Sequence, residues 1–183
     1  MSLSALCRKL GLESDNSEQL VVALTHRSWV AEKGGQDNER LEFLGDAVLQ
    51  LVVTDQIMAS FSEAPEGQLS RIRSRLVRAS ALAELAHDWE LGQFLRLGVG
   101  EERSGGRERE SVLADACEAV IGAVYLVAGI DRCREVLGPT IQRRKNSARV
   151  SSIPRSFAVR VAIRAVVSSF AFLISANRAP SWA

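Results

Sequence analysis

Through the first 142 residues, apolar positions return every three or four places, and no stretch alternates with the two-residue period of a strand. Asn16 or Ser17 can cap a helix that runs through Leu20, Val21 and Leu24 to near His26. The cluster Gly34-Gly35-Gln36-Asp37-Asn38 makes a turn and a cap before a long apolar-periodic run over 41–59. Pro65 and Gly67 then interrupt the chain, after which the pattern predicts helices over 68–80 and 81–88. Residues 98–109, rich in glycine and charge, predict a loop. Ser111 caps a helix to about Ala128, and Asp131 opens a last one to about Arg144. The opening MSLSALCRKLGL reads as a short amphipathic helix. The predicted fold class is all-α, with no internal repeat.

Charge divides the chain where this pattern ends. All 22 acidic residues lie in 1–142, whose net charge is −7, whereas 143–183 carries eight Lys and Arg and no acid, a net of +8. The predicted organisation is therefore one helical domain over 1–142 and a basic, partly apolar tail over 143–183, disordered or a single docked helix. Within the tail, the uninterrupted apolar stretch 165–176 is shorter than the ~20 residues needed to span a bilayer, so no membrane is expected.

Composition narrows the chemistry. Cys7, Cys117 and Cys133 are odd in number and form no CxxC pair, which points to a reducing, cytoplasmic setting. The N-terminus has no apolar core of a secretory signal. With only His26 and His87 in the chain, a histidine-rich metal site is nearly excluded. Any metal must be held by carboxylates, which suits Mg²⁺, with Mn²⁺ able to substitute.

Two acidic groups stand out. On a helix advancing ~100° per residue, Glu39, Glu42 and Asp46 fall within roughly 60° of one another. No Lys or Arg follows four residues on to pair with them, and Gly45 sits beside them where alanine would favour the helix by ~1 kcal/mol. That glycine implies a close approach by something else. The second pair, Asp115 and Glu118, is three residues apart among Ala114, Ala116, Ala119 and Gly122, on a helix suited to burial. A solvated acidic face, or pairing with arginine, is the plain reading of either group. Metal coordination is the sharper one, because buried carboxylates need partners. If Glu42, Asp46, Asp115 and Glu118 converge, two cations ~3.5–4 Å apart could serve phosphodiester hydrolysis.

Of the arginines in GQLSRIRSRLVRAS, Arg71, Arg75 and Arg78 share a helical face on the 68–80 reading. They either pair with the surplus acids or contact nucleic-acid phosphates. The turn Ser104-Gly105-Gly106-Arg107 could cradle an anion, although a flexible turn is the simpler account. His26, in LTHRSW, reads as a structural histidine at a helix end.

NERLEFLGDAVL at 38–49 resembles the signature of the ribonuclease III endonuclease domain, and SGGRERESVLADACEAVIGA at 104–123 resembles that family's second acidic motif. LTHRSW at 24–29 and SRLVRASALAELA at 74–86 are similar to weaker family segments, in the same order. The resemblance covers about 1–142. It implies a dimeric, Mg²⁺-dependent endonuclease that cuts double-stranded RNA, leaving short 3′ overhangs, 5′-phosphates and 3′-hydroxyls, in rRNA, mRNA and tRNA processing. By motif position it implies Glu42, Asp115 and Glu118 as metal ligands and Asp46 as a further catalytic acid. Glu39 would touch RNA or water at the catalytic edge, and Phe43 would plug into the partner subunit of a homodimer. Ala79 stands where relatives often carry glycine. The family usually continues into a double-stranded-RNA-binding domain, whose pattern 143–183 lacks. Competing expectations are a catalytically weak double-stranded-RNA-binding or dimerisation module, and a protein attached to a membrane through the tail.

Overall fold

The computed structural model describes residues 2–13 and 17–147. Eight α-helices appear among them: α1 (Leu3–Lys9), α2 (Ser17–Ala23), α3 (Arg27–Lys33), α4 (Glu39–Ser60), α5 (Glu66–Leu76), α6 (Ala79–Asp88), α7 (Val99–Arg103) and α8 (Glu110–Ser147). Two 3₁₀ turns, Leu91–Phe94 and Gly106–Glu108, complete the chain path. The described residues form no sheet; Thr25 and Arg96 make an isolated bridge. The all-α expectation holds.

The core grows around α4 and α8, which pack against each other more extensively than any other pair. Leu41, Val48, Leu49, Val52, Val53 and Ile57 give α4 one buried face. The first half of α8 is nearly enclosed, with Leu113, Ala116, Cys117, Ala119, Val120 and Ala123 all excluded from solvent. Each large side chain so buried contributes about 1.5–3 kcal/mol. Small residues alternate with these, and that lets neighbouring helices approach. Helix α6 covers α8 from another side, and α5 lies along α4. By composition 110–142 is long and apolar enough to cross a bilayer, yet 56% of its most apolar window is buried in this core.

Gly129, with φ 77° and ψ −178°, breaks α8 into two segments. This is the interruption the sequence predicts between Ala128 and Asp131. The left-handed φ favours glycine. Past the break, Cys133, Leu137 and Ile141 return to the core.

Several expectations are corrected. The 27–33 stretch, unassigned from the pattern, forms α3, with His26 as its N-cap accepting from the Ser28 N–H at 3.2 Å. The long α4 is preceded by Asn38, but the capping acceptor is Asp37 Oδ1, 3.2 Å from the Glu39 N–H. The predicted 68–80 helix starts earlier and stops at Leu76, because Arg78 turns extended (φ −66°, ψ 154°) to begin α6. The predicted 98–109 loop contains α7 and a 3₁₀ turn, tied down by side chains distant in sequence. The Gly98 N–H donates to Ser28 Oγ at 2.9 Å and the Val99 N–H to Glu32 Oε1 at 2.7 Å. Ser111 lies inside α8 rather than capping it, since the Leu113 N–H already bonds the Arg109 carbonyl. Helix α8 continues to Ser147. The readings of the tail over 148–183 lie outside the described residues.

Candidate active site

Two glycines set the geometry. A methyl group on Gly45 of α4 would stand 1.8 Å from the Glu118 carbonyl oxygen of α8, and one on Gly122 would stand 2.3 Å from the Leu41 carbonyl oxygen. The helices therefore meet backbone to backbone, which no side chain would permit. This is the close approach that Gly45 implied. Around this contact stand Glu42 and Asp46 on α4, three residues before Gly45 and one after it, and on α8 Glu118 at the contact itself with Asp115 three residues before.

The four carboxylates share one electrostatic environment. Burial, then the charges of Asp46, Glu42 and Asp115, push Glu118 up to about 7. Glu42 is raised by burial first, then by Asp115, Glu39 and Asp46, against the lowering effect of Arg27. Asp115 is raised by burial, with His26 and Arg27 opposing. Like charges gathered in a half-buried place favour the neutral form. Asp46 is exposed, and its Oδ1 accepts from Gln50 Nε2 at 3.3 Å. Glu39, at the solvent edge, faces Arg27 at 3.6 Å.

A cavity of about 720 Å³ opens beside the cluster. Glu39, Glu42 and Asp115 line one part of it, and Arg27, Arg109 and Ser111 another. Arg109 and Ser111 belong to the second acidic motif, Ser111 there read as a helix cap, and neither they nor Arg27 was expected at the site. Arg27 adjoins the histidine singled out in LTHRSW, the one hint the chain offered. His26 is placed as expected, with Nδ1 2.8 Å from Ser28 Oγ. The 104–107 turn is also occupied internally: Arg107 donates to Glu102 Oε1 at 2.9 Å and to the Leu95 carbonyl at 3.0 Å.

The donor set suits a hard divalent cation, being oxygen throughout, and its own repulsion would be relieved by positive charge. Among the described residues, however, no three of these side chains stand close enough together to enclose an ion. The structure supplies the charge and the helix spacing; coordination requires the side chains to turn inward.

Residues 16–144 match the family model described as ribonuclease-III-like. The chain belongs to the ribonuclease III family. It is 54% identical over 134 residues to Ribonuclease 3 of Pseudomonas putida strain GB-1, an overlap of 73% of this chain and 57% of that protein. Ribonuclease 3 of Hahella chejuensis is 52% identical over 133 residues, with the same two coverages. The chain thus spans a little over half the length of the curated relatives it matches. Among solved structures, a nuclease domain of ribonuclease III from Campylobacter jejuni superposes with a TM-score of 0.72 at 40% identity, over 78% of this chain and 97% of that one. It is described for structural flexibility in a region involved in dimer formation. A second structure of that domain gives 0.70 at 41% identity, over 79% and 95%.

Other residues singled out in the ribonuclease III signature and its neighbourhood lie apart from the acids. Phe43 is 84% exposed, at the edge of an apolar groove of about 530 Å³ that includes Leu44 and Leu126. Arg71 and Arg75 are exposed on α5, while Arg78, in the extended link to α6, is off that helical face. The expectation of one face carrying all three arginines is thereby corrected. None of the three forms an ion pair among the described residues; Arg71 Nε donates to the Gly67 carbonyl at 2.9 Å.

Proposed function

We propose that this chain is the nuclease portion of a metal-dependent endoribonuclease acting on double-stranded RNA. The observation that carries the reading is the backbone contact at Gly45 and Gly122, which forces four carboxylates from two helices into mutual repulsion. Glu42, Asp115 and Glu118 would hold Mg²⁺, or Mn²⁺ in its place, with Asp46 completing the acidic set. Bound there, such an ion lowers the pKa of water and offsets charge at the scissile phosphate. The chain's own part is to position and to hold protons. Burial and the neighbouring acids push Glu118 up to about 7, so this residue would release its proton when a cation is bound. Asp46, at the solvent edge, can accept a proton from water, and Glu39 faces the RNA side.

An isolated Phe43 would be left in water, so a second copy is the natural cover for it and the adjoining groove. Two sites in a homodimer would each cut one strand and leave short 3′ overhangs with 5′-phosphates and 3′-hydroxyls. Arg71, Arg75 and Arg78 would meet backbone phosphates without reading sequence. Precursors of rRNA, mRNA and tRNA are the expected substrates, and the cytoplasm the expected place. Residues 1–142 would carry the activity, and 143–183 would be a dispensable basic tail.

One observation favours a different reading, a duplex-RNA-binding or dimerising module of weak activity: the carboxylates do not close on a common centre. Incubation of long duplex RNA with the chain, in Mg²⁺ and then in chelator, separates the two. Shortening of the duplex that stops in chelator is the expected result. Binding without shortening would retire the enzyme reading.

A further inference from the structure

We propose that Arg27 seats a backbone phosphate of the RNA in the cavity beside the acidic cluster, next to the phosphate that is cut. This rests on the duplex-RNA reading above. The cavity, about 720 Å³, has room for a nucleotide-sized fragment, and Glu42 and Asp115 form one side of it. A phosphate placed beside those carboxylates needs a cation in the same cavity to hold it.

Two arginines line this cavity, and among the described residues Arg27 is the less committed of them. Arg109 is committed to its own loop: its guanidinium pairs with Glu101 and donates to Ser104 Oγ at 2.8 Å. Arg27 is 74% exposed and has one ion pair, to Glu39 at 3.6 Å, beyond ordinary hydrogen-bond length. Glu39 is itself 57% exposed, and such surface pairs contribute about 0–1 kcal/mol. A guanidinium offers five N–H donors in a planar fork suited to phosphate oxygens. Exchanging a loose carboxylate for a phosphate therefore sacrifices little. The Ser111 hydroxyl, on the same cavity wall, is a second donor. Arg27 also acts electrostatically on both Glu42 and Asp115, which places its charge at the site rather than elsewhere on the surface.

The competing role is a structural counter-charge for the acids. The two differ in what they do to salt dependence, because each phosphate neutralised adds roughly 0.9 to the slope of log affinity against log salt, as measured on B-form duplexes. The test uses the full chain and a duplex RNA of defined sequence, cleaved in Mg²⁺ at several salt concentrations. Arg27→Ala is expected to raise KM about tenfold, leave kcat within about twofold, and flatten the salt slope of kcat/KM by about one. Arg27→Lys should keep the slope, and Lys33→Ala, at the far end of α3, should match wild type. Circular dichroism checks that each variant is folded.

Unchanged KM and slope in Arg27→Ala overturn the proposal, as does a fall in kcat alone with the slope intact, which marks a counter-charge. Binding of inorganic phosphate that depends on Arg27, with RNA cleavage unaffected, overturns it too, since it assigns the site to a free anion. A wild-type chain that neither cuts nor binds duplex RNA removes the functional reading and this proposal together; an active wild type with an indifferent Arg27→Ala removes this one alone.

Discussion

The acidic floor and the arginines of α5, which we call the rim although they stand apart from the acids, are built in opposite ways. At the floor, two helices touch through their backbones at Gly45 and Gly122, which fixes the spacing of the main chain that carries the carboxylates. Burial first, and then the charges of Asp46, Glu42 and Asp115, push Glu118 up to about 7. At the rim, Arg71 and Arg75 project from α5, a helix with no buried residue of its own. Where the spacing of a group must be fixed, this chain uses main chain against main chain; where only a charge is needed, a flexible side chain in water suffices. The floor should accordingly be intolerant of any added atom, and the rim tolerant of most changes.

The sharpest way to break this contrast is Gly45→Ala. The added methyl cannot fit 1.8 Å from a carbonyl oxygen, so α4 and α8 must part. A loss of about 3 kcal/mol or more is expected, with cleavage abolished. A thermal melt within a degree or two of wild type would show that the contact is not tight.

Glu118→Gln keeps the shape and removes the charge. Cleavage should fall at least about 100-fold, the loss that even outer-shell changes at metal sites can cause. The same variant tests the raised pKa in chelator. The folded pKa of Glu118, about 7, is raised above its ordinary value of 4.5, by burial first and then by the neighbouring acids. Its proton therefore adds stability below pH 4.5, and that contribution drains away as pH rises to about 7. Melting temperatures of the variant should thus gain on wild type across that window. A constant difference would disprove the repulsion.

Phe43→Ala should leave the fold intact and weaken self-association by about 2 kcal/mol, as read by sedimentation. Wild type that sediments as a monomer at micromolar concentration would remove the reason for its exposure. At the rim, Arg71→Ala and Arg75→Ala should each change stability by no more than about 0.5 kcal/mol and raise KM severalfold at low salt only. The smallest effect is expected from ending the chain at Ser147. Such a chain should stay helical, dimeric and active, and an unfolded or inactive product would make the tail part of the structure.

Much of this arrangement was legible in the chain because it follows from helical period. The stripe Glu39, Glu42 and Asp46, the burial of the small-residue helix around Asp115 and Glu118, and the break near Gly129 all rest on neighbours in sequence. Gly45 signalled that a close approach existed but could not name what approached, since the partner is more than seventy residues away. Helix α7 was read as a loop because its order comes from Ser28 and Glu32, far away along the chain. The end of α5 was misplaced because no proline or glycine marks it; Arg78 simply turns extended. Arg27 went unnoticed for a similar reason, since only the folded cavity brings it opposite Asp115.

The separation between α4 and the first half of α8 has a consequence during synthesis. A domain folds as a unit while its chain is made at about 5–20 residues per second. Until the segment around Gly122 has left the ribosome, Glu42 and Asp46 have no second pair of acids beside them. A nascent chain therefore carries half of the acidic cluster for several seconds, and on the reading proposed above it would be unable to cut during that time. The four acids come together only when most of the helical domain is already outside.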